Sequence, residues 1–270
     1  MKVNSSPIKK DTDGDNISDL DDANPKVPFD SRFNVVSDLS YVPATPTEDK
    51  FEEESNRVYN TLKGEKQPSY GSANMQVKLF GNMPAARALN HFLDNSGDTY
   101  TFNNDSSVLK TYRGKENLAK NINTLLKLGE ETVKVSKNIT FASNVEFNGT
   151  DYSRHLEDIA DIGWWYAIGY TRATMVSNIK NIDDQTYEMD LKYRIVDFYD
   201  WDKDQTYLNG GFGGLISDAE MYNLHTFGYA KQYRINMEFN VKIRWNKGDR
   251  YYLNNIYLWD TPSTMNVSIS

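Results

Sequence analysis

The chain has 270 residues, no cysteine and a formal net charge of −8 at neutral pH. That length allows one large domain or two small ones with a substantial core. The missing thiols exclude disulfides and thiolate catalysis, and the negative charge argues against nucleic acid or an anionic membrane as a simple electrostatic partner.

Residues 1–46 read as irregular, rich in Ser, Asn and Asp and punctuated by Pro7, Pro25, Pro28, Pro43 and Pro46. The opening MKVNSSPIKK has no apolar core of a signal peptide, and no apolar run approaches the roughly 20 residues that span a bilayer. The expectation is either a cytoplasmic protein or a fragment of a longer chain exported by another route. A first helix is expected from Thr47, with Glu48 and Asp49 in its first turn, to Gly64, followed by a Pro/Ser/Gly loop at 67–74. A second opens near Pro84, carries Ala86, Leu89, Phe92 and Leu93 on one stripe, and ends before Asn95-Ser96-Gly97-Asp98. Further helices are expected over 114–128, with Leu118, Ile122, Leu125 and Leu126 on one face, and over 150–163, leading into Trp164-Trp165.

The period then changes. Residues 165–178, rich in Tyr, Ile, Thr and Val, favour a strand. In 187–199, Tyr187, Met189, Leu191, Tyr193 and Ile195 alternate with charged residues, and 233–245 alternates apolar and polar residues from Tyr233 to Trp245. Such alternation predicts antiparallel strands covered on one face. Between them, Ser217-Asp218-Ala219-Glu220 is a capping box for a short helix to about Gly228. The expected class is α+β. A mainly helical lobe, 47–163, packs on an antiparallel β lobe, 164–270, behind an irregular segment that holds a cation, all within one domain.

The cation reading rests on DTDGDNISDLDD. Hard cations such as Ca²⁺ take six to eight oxygens from alternate side chains and a backbone carbonyl of a short loop. Numbered as a twelve-residue loop over 11–22, Asp11, Asp13 and Asp15 take positions one, three and five. Ile17 gives its carbonyl, Asp19 falls at nine and Asp22 at twelve, with Gly14 permitting the turn. The segment, with its Asn24-Pro25 ending, resembles the thrombospondin type 3-like calcium repeats of secreted bacterial proteins. That resemblance implies calcium and a place outside the cell.

A second acidic run, DFYDWDKD, begins where the strand 187–199 ends. Strand parity puts Asp197 in phase with the apolar face of Tyr193 and Ile195, which is unusual for an acid unless it is paired, protonated or metal-bound. Asp200, Asp202 and Asp204 follow, and then the Gly-rich stretch Gly210-Gly211-Phe212-Gly213-Gly214. Acids at a strand end beside a flexible loop suit catalysis, and they equally suit a solvated turn.

Three stretches together carry a resemblance: Ala85-Ala86-Arg87 with His91-Phe92-Leu93-Asp94-Asn95-Ser96-Gly97, then Gly163-Trp164-Trp165-Tyr166-Ala167, then Asp197-Phe198-Tyr199-Asp200-Trp201-Asp202. Over roughly 50–260 the chain resembles the toxin domain of LXG-type effectors exported by the Gram-positive type VII secretion system, specifically those that act as lipid II phosphatases. The resemblance implies a secreted antibacterial toxin. Such a toxin would cleave the undecaprenyl-pyrophosphate linkage of a peptidoglycan precursor in interbacterial competition, contact the outer membrane leaflet through that substrate, and meet a cognate immunity protein. It places the reaction on Asp197, Asp200 and Asp202, with Asp204 beside them. Asp197-Phe198-Tyr199-Asp200 also matches the first half of the pattern of colicin M-type toxins, which act on the same substrate, an Asp-x-Tyr-Asp stretch followed by His-Arg, but no His-Arg follows at the required distance.

Pyrophosphate is anionic, and a cation on Asp200 and Asp202 as a possible second site would offset the repulsion of an acidic cleft. Arg154, His155 and Arg234 are candidate substrate contacts. His91, His155 and His225 are too scattered for a zinc signature, and no P-loop or nucleophile elbow is present. Trp164, Trp165 and Trp201 suit a core as well as a lipid or sugar. Two other classes stay open: a non-catalytic, calcium-stabilised extracellular module that binds glycan or protein, and a pore-forming toxin.

Overall fold

A computed structural model describes residues 11–43, 55–59, 83–102, 105–143, 147–151, 159–201, 218–255, 258–260 and 265–269. The centre of the fold is a long antiparallel pair, β6 (Thr186–Tyr199) against β7 (Tyr233–Asn246), in continuous register from Thr186 opposite Asn246 to Tyr199 opposite Tyr233. Its two faces follow the alternation of the sequence. Tyr233, Ile235, Met237, Phe239, Val241, Ile243 and Trp245 are all buried, whereas the opposite face pairs Glu188 with Arg244 at 3.1 Å and Asp190 with Lys242 at 3.2 Å. These exposed pairs fix register more than they add stability.

Around this pair the sheet grows in the order β1-β3-β5-β6-β7-β10. Here β1 is Phe33–Val36, β3 Asn138–Ser143, β5 Tyr170–Asn181 and β10 Asn266–Ile269. Two further strands join off this path: β2 (Tyr100–Thr101) runs parallel to β7, and β4 (Phe147–Asp151) pairs with β5. A separate hairpin joins β8 (Tyr252–Asn255) to β9 (Leu258–Asp260).

Four helices are described: α1 (Pro84–Leu93), α2 (Tyr112–Thr132), α3 (Ile159–Ile168) and α4 (Asp218–Thr226). Pro84 pre-sets the first turn of α1, and Ala86, Ala88, Leu89 and Phe92 bury its inner face. The Thr111 hydroxyl caps α2 by accepting from the Gly114 N–H at 3.0 Å. Leu118, Ile122, Leu125 and Leu126 then form its buried stripe. Asn121 and Asn117 of α2 donate to the buried Tyr193 hydroxyl at 3.2 and 3.3 Å, so the helix lies across the apolar face of the sheet. One helical turn is also described at residues 55–58.

The α+β class stands. Helices and strands are nevertheless interleaved along the chain: β1 lies in the N-terminal segment and β3 and β4 within 47–163, yet all three pair into the same sheet as the later strands, while α3 straddles the expected boundary and α4 lies within 164–270. The strand expected from residue 165 begins only at Tyr170, because α3 continues through Trp164 to Ile168. The segment IADIGWWYAI is nearly all apolar, so its periodicity could not separate helix from strand. The left-handed Gly169 stops the helix. Of the helix expected over 150–163, Thr150 and Asp151 lie in β4, 159–163 open α3, and 152–158 fall outside the described residues. The two ends of the expected 47–64 helix, the 67–74 loop, Ser217 and the Gly-rich 210–214 stretch also fall outside them.

Candidate metal centre and the acidic strand end

The N-terminal acidic loop is wound by its own carboxylates. Asp11 accepts from the N–H of Gly14 at 2.7 Å and of Asn16 at 2.9 Å. Asp15 accepts from Ile17 at 2.8 Å and from Phe29 at 3.2 Å. Gly14 and Asn16 both take positive φ, which lets the backbone wrap inward, and the Ile17 side chain plugs into the core. As a result one carboxylate oxygen each from Asp11, Asp13 and Asp15 lies within 4.8 Å of the others. Asp19 is engaged elsewhere: its two oxygens accept from the Thr12 N–H at 2.8 Å and the Thr12 hydroxyl at 2.7 Å.

Asp22 differs from the rest. It is 1% exposed. One of its oxygens accepts from the Asn24 N–H at 2.8 Å, while the other is buried with no hydrogen-bond donor, as is Oδ2 of Asp13. Burial, and then the charges of Asp15 and Asp13, push the Asp22 carboxyl up to about 6. Burial and the Asp15 charge also raise Asp13. For Asp11 the backbone N–H groups of Gly14, Asn16 and Asp15 outweigh the effect of burial and hold the carboxyl low. Buried carboxylate oxygens without donors, set against a converging acidic triad, are the donor set that a hard cation satisfies. Asp11, Asp13 and Asp15 can therefore hold a metal ion.

The loop is fastened to the end of α2 and the start of β3. Asp22 bridges Val133 in an antiparallel contact, Ala23 donates to the Thr132 carbonyl at 2.9 Å, and Asn24 Nδ2 donates to the Glu131 carbonyl. Lys134 Nζ donates to the Asp19 carbonyl, and Lys137 pairs with Asp21 at 2.7 Å.

At the other acidic run, Asp197 sits on β6 opposite Ile235 and is 9% exposed, as its parity predicts. Tyr199 and Tyr233 stack beside it with ring centroids 5.0 Å apart, and Trp201 meets Tyr199 edge-on at 5.6 Å. Burial raises both phenols. The charges of Asp218 and Asp197 add to the shift of Tyr199, and those of Asp197 and Asp94 to that of Tyr233. Three acids from separate elements thus act on this aromatic pair through their charge: Asp94 at the end of α1, Asp197 on β6 and Asp218 at the start of α4. Sequence spacing carries no sign of this, because the three meet only in the fold.

Asp200 is exposed just past the strand. Arg234 lies opposite Phe198 on the outer face, partly buried, so parity sets it on the other side of the sheet from Asp197. Asp202, Asp204, Arg154 and His155 fall outside the described residues. Among the described residues, neither Asp197 nor Asp200 joins the acidic triad of the N-terminal loop.

The remaining candidates are built into the fold. His91 packs edge-on against Tyr233 at 4.4 Å, and its ring nitrogens meet Asp94 at 2.9 Å and the Asp98 carbonyl at 2.8 Å. His225 is fully buried between the Ser55 carbonyl, at 2.9 Å from Nε2, and the Gln232 N–H, at 3.4 Å from Nδ1. Trp164 is a core residue whose indole N–H donates to Ser107 at 3.1 Å. No protein-family model, curated protein or solved structure matches this chain.

Proposed function

We propose that this chain is a secreted antibacterial toxin domain that hydrolyses the pyrophosphate linkage of lipid II, with calcium held in the 11–22 loop. Support comes from the three stretches that resemble LXG-type toxin domains and from the make-up of the strand end. The observation that carries the reading is Asp197, a buried acid at a strand terminus walled by Tyr199 and Tyr233, with the exposed Asp200 three residues on. A buried carboxylate beside an accessible one is the pairing that separates a positioning role from a proton-accepting role.

In this reading Asp200 takes the proton of the attacking water, Asp197 positions the strand end, and Asp202 supports Asp200. Calcium is assigned to Asp11, Asp13 and Asp15 with Asp22 and the Ile17 carbonyl, and Asp19, whose two oxygens accept from Thr12, braces the loop instead. Bound there, the cation satisfies buried anionic oxygens and orders the loop. A cognate immunity protein is the expected partner, and extracellular calcium suits the weak affinity of such loops.

The test is incubation of the protein with lipid II, with and without calcium, followed by detection of released polyprenol. A folded Asp200→Ala variant is expected to lose roughly 10²–10⁴-fold in rate, the usual contribution of a general base. Full activity in that variant, or no turnover by the parent protein, sinks the proposal.

A further inference from the structure

Apolar side chains left in water need an account only where they gather. Among the described residues they do so at opposite edges of the sheet. Val267 and Ile269 lie on β10 opposite Ile243 and Val241, so they form the outermost row of the sheet's own apolar face. Leu20, Val27 and Val135 belong to no strand. They are 79%, 64% and 45% exposed and come from three separate turns near the other edge, where β1 lies.

The backbone brings these three together. The antiparallel contact of Asp22 with Val133 continues as a bond from the Lys134 N–H to the Asp21 carbonyl at 3.4 Å, which sets Leu20 beside Val135. Val27 is held at the same end of α2: its N–H donates to the Asn24 carbonyl at 2.9 Å, while Asn24 Nδ2 donates to the Glu131 carbonyl. The turn after β1 adds the exposed Tyr41 and Val42, and its Asp38 lines one groove with Asp21 of the loop.

The surroundings of these tips decide what they fit. Charge between them is balanced, with Lys137 on Asp21 at 2.7 Å and Lys127 on Glu131 at 3.7 Å, and Lys26 exposed next to Val27. Single tips on separate turns do not make the contiguous apolar centre of a protein interface. A fluid acyl layer closes around each of them without a matching pocket. Lysines keep their stems in apolar surroundings while the ammonium groups meet headgroup phosphates, and a tyrosine such as Tyr41 suits the boundary between ring-burying and wet layers. A balanced rim on a chain of net charge −8 fits a zwitterionic surface rather than an anionic one.

We propose that Leu20, Val27 and Val135 form a bilayer-contact surface, entering the headgroup–acyl boundary of a zwitterionic membrane with Tyr41 at headgroup level. This depends on neither the reaction nor the cation proposed above. The chain has no cysteine, so single labels report cleanly. Leu20→Cys, Val135→Cys and, as a control on β7, the exposed Asn240→Cys each carry a polarity-sensitive dye and are mixed with phosphatidylcholine vesicles. The dyes at 20 and 135 are expected to brighten and shift to the blue, and the dye at 240 to stay unchanged. Co-sedimentation of the unlabelled chain with these vesicles should persist in high salt. The double variant Leu20→Ser, Val135→Ser should weaken it about 10-fold or more, with an unaltered melting curve because both side chains stand in water.

No binding to phosphatidylcholine vesicles overturns the proposal, as does equal brightening of the dye at 240. Binding that requires added phosphatidylglycerol and vanishes in salt overturns the apolar contact in favour of an electrostatic one. Full binding by the folded double variant overturns the assignment to these turns. Self-association of the lipid-free chain that the double variant abolishes overturns the membrane as occupant and gives the surface to a second copy.

Discussion

Replacing Asp22 by asparagine gives opposite results with and without a cation. In the cation-free protein, burial and the charges of Asp15 and Asp13 raise the Asp22 carboxyl from 3.8 to about 6. The folded state therefore binds this proton more tightly than the unfolded state, and stability from this group falls as pH rises from about 4 through 6. A displacement of that size corresponds to about 3 kcal/mol of cost for ionised Asp22 at pH 7.

The amide introduced by Asp22→Asn keeps the acceptor for the Asn24 N–H and carries no charge. In chelator at pH 7, Asp22→Asn should raise stability by up to about 3 kcal/mol, and the gain should shrink to near zero at pH 4. In calcium the order reverses, because the ionised carboxylate is then satisfied and the amide is a poorer ligand. Urea denaturation at pH 4, 5.5 and 7, with chelator or calcium, reads out all of these conditions. A variant less stable than its parent in chelator at pH 7, or one whose effect ignores calcium, refutes the reasoning.

Other substitutions probe the frame. Glu130 is almost buried and accepts from Trp245 Nε1 at 3.1 Å, Gly248 N–H at 3.1 Å and both terminal nitrogens of Arg250 at 2.8 and 2.9 Å. Glu130→Ala strips the buried Trp245 indole N–H, the Gly248 N–H and Arg250 of their shared acceptor and should cost about 1–3 kcal/mol in denaturant titration; no measurable loss contradicts this. Burial holds His225 below the usual histidine value, so folding is favoured above the unfolded pKa of about 6.5 and weakened as pH falls below it. His225→Gln should flatten that acid limb of the stability profile. At Gly129 an added Cβ would lie 2.7 Å from Ile179 Cγ2. The crowding cost of about 1–3 kcal/mol should exceed the gain of about 1 kcal/mol in helix propensity, leaving Gly129→Ala less stable by thermal melting.

What could be read from the sequence was local. The β6 and β7 strands were visible because one face of each is buried and the other solvated, so a period of two is written directly into Tyr187 to Tyr199 and Tyr233 to Trp245. Strand β3, with the sequence NITFAS, is buried from its second residue to its last and carries no such contrast. The same distinction holds at the sites. Asp11, Asp13 and Asp15 meet because they are two residues apart on one loop, and their spacing shows it. The burial of Asp22 depends on Val133, at the far end of α2, and no local pattern encodes that contact. The parity of Asp197 was likewise evident, whereas Tyr233, which stacks on Tyr199 beside it, is brought in by β7.

The contact between Asp22 and Val133 joins points far apart in the chain. A crosslink closing roughly 100 residues removes on the order of 4–5 kcal/mol of unfolded-state entropy, and this chain has no cysteine with which to make one. The tie here is made by hydrogen bonds instead: Ala23 to the Thr132 carbonyl and Asn24 Nδ2 to the Glu131 carbonyl close the same span. A cation whose ligands all lie within 11–22 would stiffen the loop that carries these bonds without itself crossing the gap. A chelator would then loosen the N-terminal segment locally and leave the sheet and α2 folded, a partial opening confined to one end of the chain.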